Sequence, residues 1–303
     1  MKVGVLLVLV VAFMAPAVVV AQTNVPSEPL TSHAYEAVVS FFEYDKAIPL
    51  DASILARSDT PEYTREKIVF TGGRGDRVPG ILAVPKAGTR PYPLVLELHA
   101  GASSKDGWWS DESFERGQRL THSLLSAGIA VLALDAQYHG ERAANNDYLS
   151  LREMYFEKKW FARYRDMVVE STRDYMRALD YLATRPEVDL TRVGIIGHST
   201  GGLMSVYLTA LEPRIRATVA CVAALSDSWL YPLTPTNFAA AIRDPAVLVL
   251  AGRKDPLIPI ESTQRFFNLI QGSSKELAFF DSGHQLPGEY MDRALAWFIR
   301  HLK

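Results

Sequence analysis

Gly197-His198-Ser199-Thr200-Gly201 follows the apolar run Val193-Gly194-Ile195-Ile196 and opens into Gly202-Leu203-Met204-Ser205-Val206-Tyr207-Leu208, whose pattern is helical. A G-x-S-x-G pentapeptide between a buried strand and a helix is the signature of a sharp nucleophile elbow. So tight a turn forces Ser199 into unfavourable backbone angles, tolerable only with small neighbours at 197 and 201. In return the hydroxyl stands clear of the sheet. Free amides at the start of the next helix, with its dipole behind them, favour a developing oxyanion. The plainer reading is a glycine-rich turn with an incidental serine, and the pentapeptide alone leaves it open.

Outward from the elbow, short apolar stretches alternate with helical ones. Strand candidates are 94–98, 129–134, 193–196, 217–222, 246–250 and 277–280, near-continuously hydrophobic as in a parallel sheet covered on both faces. Helical patterns run through 112–127, about 161–184, 202–211, 262–271 and 289–302. In the second of these, Val168, Thr172, Tyr175, Met176, Leu179 and Leu182 recur at helical spacing. Ahead of them, 66–71 and 80–84 flank Gly72-Gly73-Arg74-Gly75-Asp76, a hairpin signal. Turn chemistry accounts for the Arg-Gly-Asp inside it. The alternation predicts an α/β fold: a doubly wound, mostly parallel sheet with a leading antiparallel hairpin. One domain over 22–303 is the economical reading, with a helical N-terminal extension at about 32–62. Within that extension Ala37, Val38, Phe41 and Phe42 share one helical face.

Composition narrows the function classes. A chain of 303 residues, 48% hydrophobic, can bury a large core. A net charge of −2 leaves no basic excess to neutralise phosphates, which argues against a nucleic-acid partner. Charges are interleaved, as in Arg152-Glu153 and Glu157-Lys158-Lys159, and read as solvated helix faces. Lys2 precedes an apolar run from 3 to 20 ending Val19-Val20-Ala21, which fits a signal peptide over 1–21 and export to the periplasm or medium. The run is also close to membrane-spanning length, so a retained anchor at 3–21 is the second reading, and only then is a membrane a partner. Cys221 stands alone in an apolar stretch, which excludes an internal disulfide and suits a buried structural thiol.

A serine nucleophile needs a base, and the base needs an acid to fix its tautomer. After an elbow the order is serine, acid, histidine, with the last two in loops that follow later strands. The stretch after 246–250 carries Asp255, and the one after 277–280 carries His284. Rivals fit less well. Asp281 is too near His284 to brace it from another strand, and Asp244 precedes its strand. His198 sits inside the elbow and points aside, while His33, His122 and His301 fall on helices. An oxyanion hole also needs two amides. One is that of Thr200, just after the nucleophile; the other belongs to Leu98-His99-Ala100-Gly101-Ala102-Ser103-Ser104, with Gly101 first and Ala102 second.

The ordered set resembles the α/β-hydrolases, in particular the dienelactone-hydrolase-like and prolyl-oligopeptidase-like esterases. The matching pieces are Pro79-Gly-Ile-Leu-Ala-Val-Pro85, His99-Ala-Gly101, Asp135-Ala-Gln-Tyr-His-Gly-Glu-Arg142, Arg185-Pro-Glu-Val-Asp189, Gly197 to Gly202, Asp255-Pro256 and Gly283-His284. They span roughly the last four-fifths of the chain. The resemblance implies that Asp135, His139 and Arg142 support the oxyanion loop rather than touch substrate. Two departures matter. Dienelactone hydrolases use a cysteine where this chain has Ser199, which favours ordinary ester hydrolysis. Their His-Gly-Gly loop is His99-Ala100-Gly101 here.

The expected function is therefore hydrolysis of a small-molecule carboxylic ester through an acyl-enzyme on Ser199, with no cofactor and no metal. A serine peptidase or amidase of the prolyl-oligopeptidase-like type is the alternative, and a catalytically silent binding protein is another. Trp108-Trp109, residues 147–156 and residues 228–231 either line an apolar substrate pocket or cover the core. The physiological ester is not legible.

Overall fold

In the computed structural model the described residues are 30–223 and 230–303; the expected signal segment and residues 228–229 lie outside them. The apolar stretches form strands, all but β5 longer than their hydrophobic centres: β4 (Tyr92–Leu98), β5 (Ala130–Leu134), β6 (Val188–His198), β7 (Ile215–Cys221), β8 (Ala246–Gly252) and β9 (Lys275–Phe280). Ahead of them come β1 (Ser53–Asp59), β2 (Tyr63–Thr71) and β3 (Arg77–Pro85). The sheet order is β1-β2-β3-β5-β4-β6-β7-β8-β9. From β5 to β9 every pairing is parallel, while β1, β2, β3 and β5 pair antiparallel in turn. The chain crosses from β4 back to β5 and then over β4 to β6, so the strand order reverses between β4 and β6. In open α/β sheets ligands bind at such a switch, beyond the carboxyl ends of the strands.

Two helices, α2 (Gln118–Ser126) and α7 (Glu289–Leu302), cover one face. Their Leu120, Leu124, Tyr290 and Phe298 pack with Val95, Val131 and Ile196. The other face carries α1 (Ser32–Val39), α3 (Phe161–Leu182), α4 (Thr200–Leu211), α5 (Pro235–Ala239) and α6 (Ile260–Leu269). There Tyr175, Leu179, Leu203, Tyr207 and Phe266 bury Leu94, Leu96 and Ile195. Burying one such side chain contributes about 1.5–3 kcal/mol, and burial on both faces is why 94–96 in β4 and 193–196 in β6 are continuously apolar.

Three expectations are corrected. The extension at about 32–62 is helical only through α1 and a 3-10 turn, Ser40–Phe42, whereas 53–59 is the edge strand β1. Every residue of β1 is exposed, so no buried alternation marks it in the sequence. Val38 and Phe42 are buried, but Ala37 and Phe41 face outward. The helix expected from 112 starts at Gln118, because Gly117 packs flat on Trp108; a Cβ there would lie 2.5 Å from the indole. Finally, the outer face of α3 is not all solvated. Tyr44 donates to Asp180 Oδ2 at 2.6 Å, and Arg177 and Arg173 donate to the carbonyls of Ile48 and Phe41. The extension thus covers charges that a lone amphipathic helix would expose.

Candidate active site

The elbow joins β6 to α4. Ser199 has φ 54° and ψ −113°, a region that costs a non-glycine residue about 1–3 kcal/mol. The surroundings enforce it. A Cβ on Gly197 would meet Gly201 O at 2.2 Å, and one on Gly201 would meet Leu98 O at 2.3 Å. The Ser199 amide donates to Cys221 O at 2.9 Å, so β7 holds the turn from the other side. Cys221 itself is fully buried, and burial pushes its thiol pKa well up.

Loops after β8 and β9 bring the other two expected side chains to Ser199. Where β8 ends, a Cβ on Gly252 would lie 2.1 Å from Gly283 O, so only glycine lets these loops meet. His284 Nε2 is 2.9 Å from Ser199 Oγ, and His284 Nδ1 is 2.7 Å from Asp255 Oδ2. The other oxygen of Asp255 accepts the amides of Leu257 and Ile258 at 2.8 and 3.1 Å. These bonds leave the carboxylate no freedom to turn from the imidazole. Phe114 packs on the His284 ring with centroids 5.5 Å apart.

The loop after β4 lies against the elbow. A Cβ on Gly101 would fall 3.0 Å from Thr200 Oγ1 and 2.0 Å from Leu151 Cδ2, so Gly101 sits between the start of α4 and Leu151. Ala136 N–H donates to His99 Nε2 at 3.0 Å, which leaves Nδ1 protonated to donate to Ala100 O at 2.8 Å. Ser103 N–H donates to the same carbonyl at 3.1 Å. His139 Nε2 is 3.0 Å from Gly101 O and its Nδ1 is 2.9 Å from Gln137 O. Burial and the neighbouring His99 push its pKa down to about 4, so near neutral pH its single N–H serves one of the two carbonyls.

Behind this loop lies a buried ionic layer. Asp135 accepts the Lys105 amide at 3.0 Å, Lys105 Nζ at 2.9 Å and the Glu141 amide at 2.9 Å. Arg142 donates to Asp135 O at 3.1 Å, Asp174 Oδ2 at 2.6 Å and Asp76 Oδ2 at 2.5 Å. The hairpin's Asp76 thus has a partner inside the fold. Asp135 and Arg142 hold neighbouring backbone, and His139 meets the loop itself.

The remaining candidates divide. His198 is buried among Trp108, Phe114 and Tyr290, neither ring nitrogen finds a partner among the described residues, and burial pushes its pKa down to about 3. Trp108 is fully buried in the core, and Trp109 packs on Tyr63 and His122 under Arg65. From 147–156 Leu151 is placed against Gly101, whereas Tyr148 and Phe156 are 77% and 55% exposed. Leu230 is buried and Tyr231 exposed. One residue escaped the sequence reading altogether. Glu115, expected in the first turn of a helix, is buried and accepts the Ala100 amide at 2.6 Å. Nothing in its sequence context marks it. Among the described residues no cluster of three His, Cys, Asp or Glu side chains could hold a metal ion, and no helix is long and apolar enough to cross a membrane.

Comparison with known proteins bears on the family and the fold. Residues 47–229, more than half the chain, match the family model described as acetyl xylan esterase (AXE1). YtaP of Bacillus subtilis (strain 168) is 27% identical over 175 residues, 56% of this chain and 56% of that protein. YuxL of the same strain, described as an uncharacterized peptidase, is 24% identical over 278 residues, 78% of this chain. The chain spans only 56% and 39% of the length of these two relatives. In three dimensions, acetyl xylan esterase 1 from Thermoanaerobacterium sp. JW/SL YS485 superposes with a TM-score of 0.71 at 19% identity, covering 90% of this chain and 94% of that one. That likeness establishes the α/β-hydrolase fold.

Proposed function

The chain belongs to the acetyl xylan esterase (AXE1) family, and we propose that it hydrolyses carboxylic esters through an acyl-enzyme on Ser199. The observation that carries this reading is the continuous relay from Asp255 through His284 to Ser199, at 2.7 and 2.9 Å. His284 Nε2 takes the serine proton as Oγ bonds to the ester carbon. The carbonyl π electrons move onto oxygen, which the amides of Thr200 and Gly101, or Ala102, receive. Collapse breaks the bond to the alcohol, which leaves with the proton from His284. Water then attacks the acyl-enzyme, gives its proton to His284, and releases the acid and free Ser199. Asp255 orients the imidazole and stabilises its cation throughout.

Leu151 against Gly101 supports a small acyl group, with acetyl esters the first substrates to test. A fluorophosphonate should attach to Ser199, and a p-nitrophenyl ester panel should run fastest at acetate, with Ser199→Ala as the blank. An unlabelled serine would leave the silent binding protein as the reading. Amide cleavage is the second reading, drawn from the peptidase description of YuxL. Aminoacyl amides turned over faster than short esters would establish it. Export after Ala21 belongs to the same proposal, and N-terminal sequencing of the mature chain tests it.

A further inference from the structure

One carboxylate bridges both ends of the turn that carries the two candidate oxyanion amides. Glu115 Oε1 accepts the Ala100 amide at 2.6 Å and Oε2 accepts the Ser103 hydroxyl at 2.8 Å. Between those residues lie Gly101 and Ala102. The turn is closed by Ser103 N–H donating to Ala100 O at 3.1 Å, so the grip of Glu115 spans one four-residue unit. The consequence for direction follows from peptide planarity. With Ala100 O held by His99 Nδ1 and by Ser103 N–H, the Gly101 N–H of the same trans peptide points the opposite way. Glu115 fixes the preceding peptide plane through the Ala100 amide, so neither plane flanking Ala100 can rotate.

Glu115 is itself built in. It is 1% exposed, and its own carbonyl accepts Tyr290 Oη at 2.6 Å from α7. Its carboxylate crowds Gly107, where a Cβ would lie 2.6 Å from Oε2. No basic side chain pairs with it among the described residues. A buried carboxylate held by neutral donors is costly unless those donors are well placed. The neighbours of Glu115 reach the base loop as well. Phe114 O accepts Gln285 Nε2 at 3.0 Å, and Arg116 Nη2 donates to Gln285 Oε1 at 3.1 Å.

We propose that Glu115 is a positioning residue, aiming the Gly101 and Ala102 amides at the oxyanion by holding both ends of the Ala100–Ser103 turn. The inference rests on the ester-hydrolase reading and names a further residue of that site. An amide that wanders stabilises the transition state less while leaving ground-state binding nearly untouched.

The test compares wild type, Glu115→Gln, Glu115→Ala and Ser103→Ala on p-nitrophenyl acetate, with thermal unfolding and the Ki of a trifluoromethyl ketone that forms the tetrahedral oxyanion. Glu115→Ala should lose about 10–100-fold in kcat with KM within about twofold, and the ketone should weaken by the same factor as kcat/KM. Glu115→Gln keeps an oxygen for the Ala100 amide and should recover most of the loss. Ser103→Ala should fall between them. Should Glu115→Ala not fold, Glu115→Gln and Ser103→Ala decide. Wild-type kcat and ketone Ki in both overturn the proposal, as does a change confined to KM. Failure of the esterase reading looks different, since the wild type would then neither turn over the ester nor take a fluorophosphonate on Ser199.

Discussion

The turn after β4 and the connection at 147–160 both approach the elbow, and they are built in opposite ways. Ala100 has both its amide and its carbonyl bonded, and behind it Lys105, Asp135, Arg142 and Glu115 are all buried. The connection exposes Tyr148, Phe156 and Trp160 and includes three left-handed residues, Asp147, Tyr148 and Lys159. Its inward anchors are few: Met154 is buried, and Leu151 and Tyr155 pack on the core from its edge. Direction matters for the amides proposed to meet an oxyanion, and polar bonds surround that region. Only shape matters for an apolar wall, so contact suffices for the second.

The most severe way to break the comparison is to leave both regions intact and disorient the base. Asp255→Asn should lower kcat by roughly 10⁴ through the wrong imidazole tautomer, with an unchanged unfolding curve as the check on folding. Next comes the ionic layer behind the turn. Arg142→Met strands Asp174 without its buried partner, at a cost of about 3–5 kcal/mol in denaturant unfolding.

Glu97, two residues before His99, tests the same side through pH. Burial pushes its pKa up to about 8 from 4.5. Thr121 Oγ1 lies 2.7 Å from Glu97 Oε1 and 2.8 Å from Trp108 O. One hydroxyl hydrogen cannot serve two acceptors, whereas a protonated Glu97 donating to Thr121 frees it for Trp108 O. Because the folded pKa is raised, the group's contribution to stability is whole below pH 4.5 and drains away as pH rises to about 8. Glu97→Gln keeps the donor and removes the titration. Its stability relative to wild type should therefore rise across that window, reaching roughly 1–4 kcal/mol in unfolding measured at a series of pH values.

The smallest effect belongs to the exposed connection. Leu151→Ala should shift the butyrate-to-acetate ratio of kcat/KM upward about tenfold, whereas Tyr148→Ser should move stability by no more than about 0.5 kcal/mol. A Tyr148→Ser variant that lost stability like Arg142→Met would end the contrast between the two regions.

The elbow was legible because its demands are local. Gly197 and Gly201 are required by backbone atoms a few ångströms away, and the strand-turn-helix pattern announces that crowding. Strands β4 to β8 were legible because burial on both faces writes itself as continuous hydrophobicity, and the half-buried edge strand β9 through its apolar run at 277–280. Strand β1 was not, since an exposed edge leaves no pattern, and 112–117 read as helix because nothing local reveals that Gly117 must lie on Trp108. Glu115 was invisible for the same reason: its partners at Ala100 and Ser103 come from the loop of another strand.

What the sequence determined by itself was the α/β architecture and the placing of Ser199, Asp255 and His284, in that order, just beyond the ends of three strands. Periodicity and spacing are properties of the chain, and they survive without coordinates. Tertiary structure alone decided which way the amides of the Ala100–Ser103 turn point, which charges are buried behind them, and that Leu151 rather than Trp108 stands beside Gly101. Those are matters of orientation between segments distant in sequence, set by packing and by the need to satisfy each buried polar group, and no local pattern encodes them.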